Sequence, residues 1–296
     1  MKTTLPDYLT LLNEEEIKFE SLCRLKNRFK TFDKFSHKGT RGHAAIFAGS
    51  HGMMGAAILA LKSANRSGVG KVTAIIPNEY FALIHAQSPE SLIEENKAEE
   101  INFDKFNSIG IGPGLGAALL THSMIDCIFS SGKPLVLDAD ALNFLSKNKQ
   151  YLKKIPPESI LTPHLREWER LWGPVDNDKI RIEKTIEICK ELNINVVIKG
   201  HFSCFVTSKG SFFFNGTGNA GMAKAGSGDV LTGLITGLLA QGYTSEDAAL
   251  IGMYIHGLSG DLAKEALGEE AMIASDQIHF FSTAFLKLRD NILNLP

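Results

Sequence analysis

The stretch that decides the fold is His43-Ala-Ala-Ile-Phe-Ala48, the turn Gly49-Ser-His-Gly-Met-Met-Gly55, the run Ala56-Ala-Ile-Leu-Ala-Leu-Lys-Ser-Ala-Asn-Arg66, and Lys71-Val-Thr-Ala-Ile-Ile76. Its two short, continuous apolar runs are of the kind buried on both faces of a parallel sheet. Parallel neighbours need a crossover of a dozen residues or more, and Met54 to Arg66 has the spacing of a helix that supplies it. Working outward, Ser108-Ile-Gly-Ile111, Pro134-Leu-Val-Leu-Asp138 and Asn195-Val-Val-Ile-Lys199 repeat the strand signal, and Leu119 to Phe129 reads as another helix. Cys204 to Phe214 reads as two short strands about Ser208-Lys209-Gly210, a hairpin signal, and the chain beyond Gly226 reads almost wholly as helix. The first 35 residues differ: Glu14-Glu-Glu16 and the basic stretch Arg24 to Lys34 suggest one or two amphipathic helices laid on a surface. The expected division is a helical extension, 1–35, and an α/β domain, 36–296.

The 296 residues suffice to bury a sizeable core, and 44% hydrophobic with 22% charged residues is an ordinary globular composition. With 31 Lys+Arg against 33 Asp+Glu there is no broad cationic field for nucleic acid or anionic lipid. No apolar run reaches the ~18 residues of a membrane span, and Met1-Lys2-Thr3-Thr4-Leu5-Pro6 lacks a secretory pattern, so a cytoplasmic protein is expected. Cys23, Cys127, Cys189 and Cys204 are scattered, without zinc-finger spacing, and are expected to be reduced and mostly buried.

Glycine carries the chemical signal. Of 27 glycines, eight fall between Asn215 and Tyr243; others surround the first strand, and a third group is Gly110-Ile-Gly-Pro-Gly-Leu-Gly116. Glycine loops at strand ends that open into helices present unpaired N–H groups and the helix dipole to anions, so a phosphate-bearing ligand is expected. The Walker pattern fails because Val72 follows Gly70-Lys71 and Pro134 follows Gly132-Lys133. The dinucleotide fingerprint fails because Gly49 to Gly55 is GxxGxxG and Leu115 stands where Gly110 to Gly116 needs glycine. What remains is Ala225-Gly226-Ser227-Gly228-Asp229, running into Val230-Leu-Thr-Gly-Leu-Ile235. Asp229 could simply stabilise a helix start, by roughly 1 kcal/mol. A cap does not need glycine on both sides of Ser227, however. The alternative is that the amides of Gly226, Ser227 and Gly228 hold a transferring phosphoryl group while Asp229 accepts a proton from the attacking hydroxyl.

Ala-Gly-Ser-Gly-Asp at a helix start resembles the anion-hole motif of the ribokinase-like superfamily, whose fold is a three-layer α/β/α sandwich with a mainly parallel central sheet. Within it, Gly49-Ser50 with Gly55-Ala56, Pro113-Gly-Leu-Gly116, Leu137-Asp-Ala-Asp-Ala-Leu142, Leu161-Thr-Pro-His164, Ile198-Lys-Gly200 and Asn219-Ala-Gly-Met-Ala223 are similar to the ADP-dependent NAD(P)H-hydrate dehydratases, over about residues 36–285. The resemblance implies a nicotinamide-nucleotide repair lyase that returns hydrated NADH and NADPH to NADH and NADPH and converts ADP to AMP and phosphate. It implies Asp229 as the base, Gly226, Ser227 and Gly228 as the phosphate anion hole, and Lys199, Gly200, His201, Phe202, Ser203 and Gly228 against ADP or AMP. Ala56, Gly116, His164 and Asp229 would contact the hydrated dinucleotide. Magnesium is expected with the ADP phosphates, its protein ligands unassigned. A homo-oligomer, with a tetramer favoured, and a separate epimerase acting on the same substrate are further implications.

On residue chemistry alone, His164 reads as a polar loop residue, Ala56 as helix packing, and Lys199 as either solvated or ligand-facing. Asp138 and Asp140 stand evenly between structural and cation-linked roles. The chain departs from the family in Leu165-Arg166-Glu167, Ala220 and Lys224, which bears on the geometry of the substrate loops. A small-molecule kinase of the same fold, hydroxyethylthiazole-kinase-like, is the alternative; a nucleotide-sensing module without catalysis is a third reading, disfavoured by Asp229.

Overall fold

The computed structural model describes residues 14–294. Strands β1 (His43–Phe47), β2 (Lys71–Ile76), β3 (Leu92–Glu95), β4 (Ser108–Ile111), β5 (Leu135–Leu137), β6 (Ile160–Leu161), β7 (Asn195–Ile198), β8 (Cys204–Val206) and β9 (Phe212–Phe214) form one sheet in the order β3-β2-β1-β4-β5-β6-β7-β8-β9. Every pairing from β3 through β7 is parallel, and the β7–β8 and β8–β9 pairings are antiparallel, so the hairpin expected near Ser208 closes one edge.

Alternation along the strands builds two cores. Ala45, Phe47, Ile109, Ile111, Leu135, Leu137, Val196 and Ile198 face a layer that contains α4 (His122–Ser130), α5 (Ala139–Lys147), α6 (Leu165–Trp172) and α7 (Asp178–Leu192). Residues of opposite parity, such as Ile46, Val136, Ile160 and Val197, face α2 (Met54–Arg66), α8 (Ser227–Ala240), α9 (Ser245–Leu267) and α10 (Ala274–Leu293). With α3 (Phe81–Gln87) beside β2, this is the expected three-layer α/β/α architecture.

α8 is the apolar helix anticipated after Gly226; it is buried continuously from Val230 to Ala240 because sheet and helices cover it on all sides. The helix expected from Leu119 starts later, since the Thr121 hydroxyl accepts from the Met124 amide at 3.1 Å and caps it there. β3 and β6 were not anticipated. Of the amphipathic extension, α1 (Glu14–Leu25) is formed, with Leu25 buried against the cluster of α9 and α10; the part before Glu14 lies outside the described residues. All four cysteines are free: Cys189 and Cys204 are buried and Cys127 is half-buried, but Cys23 is exposed, because it sits on the outer side of α1. Among the described residues no helix is long and apolar enough to cross a membrane.

Candidate active site

The carboxyl ends of the parallel strands and the start of α8 meet around a cavity of about 780 Å³. This is where open α/β sheets bind ligands. Gly226 makes the turn into α8 at φ 94°, a left-handed conformation, and a Cβ there would lie 2.5 Å from Leu59 Cδ1, so only glycine fits. The first amides of the helix then divide. Ser227 N–H makes a long 3.5 Å bond to Lys224 O and Val230 N–H donates to Gly226 O at 3.1 Å. Those of Gly226, Gly228 and Asp229 have no acceptor among the described residues, which leaves donors at the positive end of the helix dipole.

The Asp229 carboxylate lines the cavity and has no hydrogen-bond partner among the described residues. Burial, and then the nearby carboxylate of Asp138, push its pKa up to about 7; Lys199 pulls the other way without overcoming them. A partnerless carboxyl poised near neutrality suits proton transfer better than capping.

Lys199 follows β7 and Asp138 follows β5, so neighbouring regions of the sheet bring them together across 61 residues. Lys199 Nζ lies 2.7 Å from Asp138 Oδ1 and 3.7 Å from Glu167 Oε2. The other Asp138 oxygen accepts from Thr232 Oγ1 at 2.7 Å, which ties the carboxylate to α8. Burial works against the Lys199 ammonium, but Asp138, Glu167 and Asp229 outweigh it and hold its pKa above the ordinary lysine value. A Cβ on Gly228 would stand 3.3 Å from Lys199 Nζ, so this cation faces the amide turn directly. Next to Asp138, Ala139 sits at φ 46°, a left-handed conformation that non-glycine residues pay for and that is often found at functional sites.

His164 does both things open to it. Its Nδ1 accepts from the Glu167 amide at 3.2 Å while Glu167 Oε2 accepts from the His164 amide at 2.8 Å, a capping box that starts α6, and its ring also lines the cavity. Burial lowers its pKa although Glu167 opposes this, so the ring is neutral near pH 7.

The structure thus brings together Asp229, Gly226, Ser227, Gly228, Lys199, Gly200, His201, Ser203 and His164. Phe202 does not line the cavity; it packs edge-on against His201 at 4.5 Å between ring centroids. Ala56 and Gly116 do not line it either. They lie on an adjoining rim, where Gly114 packs against Ala56 and Gly116 N–H donates to Asp140 Oδ2 at 2.9 Å. Asp140 adds, less than burial and Asp138 do, to the raised Asp229 pKa.

Residues without a motif complete the site. Asp261 accepts from Gly218 N–H at 2.9 Å and Asn219 Nδ2 at 3.0 Å, and so shapes the glycine-rich approach. His256 on α9 lines the cavity beside Ser227. Thr232 could have been found from sequence, being one helical turn beyond Asp229; Asp261 and His256 carry no local signal that separates them from other polar residues of a long helix. No group of three or more His, Cys, Asp or Glu able to hold a metal occurs among the described residues. Asp138 has both oxygens engaged, so the donors present do not form a protein-held metal site.

A nine-stranded, mainly parallel sheet with a glycine-turned helix start and an acid at its carboxyl edge defines a ribokinase-like α/β protein. Comparison with known proteins narrows the class. Residues 44–280 match the family model described as NAD(P)H-hydrate dehydratase, and the chain belongs to that family. It is 36% identical over 268 residues to the ADP-dependent (S)-NAD(P)H-hydrate dehydratase of Neisseria meningitidis serogroup B, covering 88% of this chain and 90% of the relative. It is 31% identical to the bifunctional NAD(P)H-hydrate repair enzyme of Thermofilum pendens, covering 86% of this chain and 52% of that one, so the chain spans about half the length of such bifunctional relatives. Among solved structures, the ADP/ATP-dependent NAD(P)H-hydrate dehydratase of Bacillus subtilis, co-crystallised with ATP/Mg2+, superposes with a TM-score of 0.79 at 31% identity, covering 93% of this chain and 97% of that one.

Proposed function

We propose that the protein is an ADP-dependent NAD(P)H-hydrate dehydratase, a hydro-lyase that repairs hydrated NADH and NADPH. The observation that carries the reading is the partnerless Asp229 carboxyl beside the unpaired amides of Gly228 and Asp229, on the wall of a cavity large enough for a nucleotide. Hydroxide leaves poorly, so the 6-hydroxyl of the hydrated ring is phosphorylated first. Asp229 takes the hydroxyl proton as oxygen attacks the β-phosphorus of ADP, and AMP departs. The amides of Gly226 and Gly228 and the ammonium of Lys199 receive the negative charge of the transferring group. The ring nitrogen lone pair then expels phosphate, and loss of the C5 proton restores the double bond, so that water is removed overall at the cost of one phosphoanhydride.

In this reading Lys199, Gly200, His201 and Ser203 lie along ADP, with Phe202 supporting His201. His164 faces the dinucleotide, which extends from Asp229 toward the rim of Ala56 and Gly116. Magnesium arrives on the ADP phosphates, in keeping with the usual way this ion is held in nucleotide sites, and no step here is assigned to it. The cytoplasm, a homo-oligomeric state with the tetramer favoured, and a separate epimerase that supplies the reactive epimer belong to the same proposal. A kinase of this fold differs in its product: it leaves a stable phosphorylated alcohol, whereas the dehydratase releases phosphate and regains the absorbance of reduced nicotinamide.

The test is incubation with acid-hydrated NADH, ADP and magnesium while that absorbance is followed. Asp229→Asn should fold and bind ADP yet lose about a thousandfold or more in kcat, the usual scale for removing a general base. A variant turning over near the wild-type rate would refute the proton-acceptor role.

A further inference from the structure

We propose that His256 is a positioning residue that holds the anion-binding turn in its working shape by acting through Ser227; this rests on the dehydratase reading of the same site. His256 Nε2 lies 2.9 Å from Ser227 O and 3.2 Å from Ser227 Oγ. A carbonyl oxygen only accepts, so Nε2 carries the hydrogen and its tautomer is fixed. Burial lowers the imidazole pKa to about 4 against the opposing bond to Ser227, so the donor is a neutral ring. From α10, Gln277, only 1% exposed, places its amide 3.3 Å from the same Ser227 Oγ. Two helices packed on α8 therefore each send one polar side chain to one residue.

Their neighbours in that seam, Ile255, Leu262, Ile278 and Phe281, are apolar and buried. A buried amide and a half-buried imidazole there cost desolvation that their hydrogen bonds offset, and those bonds converge on Ser227. That residue needs outside restraint. It stands between Gly226 and Gly228, the least restricted backbone available, and α8 starts with no side-chain cap. His256 and Gln277 supply from other helices the restraint that a cap would give locally. Amides aimed in advance at a developing charge stabilise it without reorganising, and a turn free to rock loses that advantage.

The test compares wild type with His256→Phe, which keeps ring volume without a donor, and His256→Gln, whose amide nitrogen reaches the place of Nε2. His256→Phe should lower kcat about ten- to a hundredfold, less than loss of a whole donor. KM for hydrated NADH should stay within about threefold, because the dinucleotide is held elsewhere. ADP affinity, read by calorimetry, should weaken several-fold, and His256→Gln should recover most of both losses. Wild-type kcat and ADP affinity in His256→Phe would overturn the proposal, as would equal losses in both variants. Absence of turnover by wild type would instead sink the dehydratase reading; ADP affinities alone then decide, and unchanged affinity in His256→Phe rejects the positioning role.

Discussion

A carboxyl group in the first turn of a helix is normally held below its usual pKa by the dipole, yet Asp229 is pushed up to about 7. Desolvation and Asp138 outweigh both the helix and Lys199. The consequence for turnover has a definite sign. Only ionised Asp229 can take the hydroxyl proton, so kcat/KM should rise tenfold per pH unit below about 7 and level off above it, reporting the free enzyme. The consequence for folding runs the other way. The folded protein keeps a proton that the unfolded chain releases near the ordinary value of 3.8, so this group's contribution to stability is whole below that pH and is lost as pH rises through 7. Asp229→Asn, which carries no charge, should therefore gain thermal stability relative to wild type near pH 8 and show little difference near pH 4. A kcat/KM profile flat from pH 5 to 8 would show that Asp229 has another environment or another role.

At the scale of elements, α8 is where sequence and packing agree most closely. Its glycines are not loosely tolerated: a Cβ on Gly233 would stand 2.0 Å from Ala60 O, which means that α2 and α8 touch backbone to backbone. Gly233→Ala separates two effects of opposite sign. Helix propensity alone would favour alanine by about 1 kcal/mol, whereas a backbone collision forces the helices apart at a cost of about 3 kcal/mol or more. The variant should melt well below wild type or fail to fold, and a rise in Tm would show that the helices are not in contact there. The same physics explains which elements were readable. β1, β2, β4, β5 and β7 are apolar runs buried on both faces, and burial leaves that pattern in the chain. β3 is an edge strand, Leu-Ile-Glu-Glu, half in solvent, so two acids hide it. β6 is two residues long, between Pro156-Pro157 and Pro163, too short for any periodicity to register.

Over the whole molecule, the legible part of the site is the part that lies along the chain. The amide turn and Asp229 are contiguous, so glycine spacing reveals them, and Lys199 and His164 sit at strand ends with motifs of their own. The bonds that tune these groups join Asp138 to Lys199 over 61 residues, Thr232 to Asp138 over 94, and His256 to Ser227 over 29. Nothing local encodes such pairings; sheet order and helix packing create them. The same holds for the N-terminal helix, whose amphipathic stretch gives no sign of where it docks. Ser21 Oγ donates to Ile17 O at 2.7 Å within α1 and accepts from Gly216 N–H at 3.2 Å, with Phe214 O 3.1 Å away, so α1 steadies the end of β9 from which the chain runs into Gly218 and Asn219 on the cavity wall. Arg28 pairs with Glu246 at 2.7 Å and Asp247 at 2.6 Å at the start of α9, and Leu25 is 1% exposed. Removing residues 1–28 would uncover the Leu25 site, worth about 1.5–3 kcal/mol, and leave two acids without their cation. At about 2–4 °C per kcal/mol for a chain of this size, Tm should fall by about 3–12 °C. ADP affinity should weaken with it, because the wall bearing Gly218 loses its support. A truncated protein with the wild-type Tm and ADP affinity would show that α1 merely lies on the surface, as its amphipathic sequence suggests when read by itself.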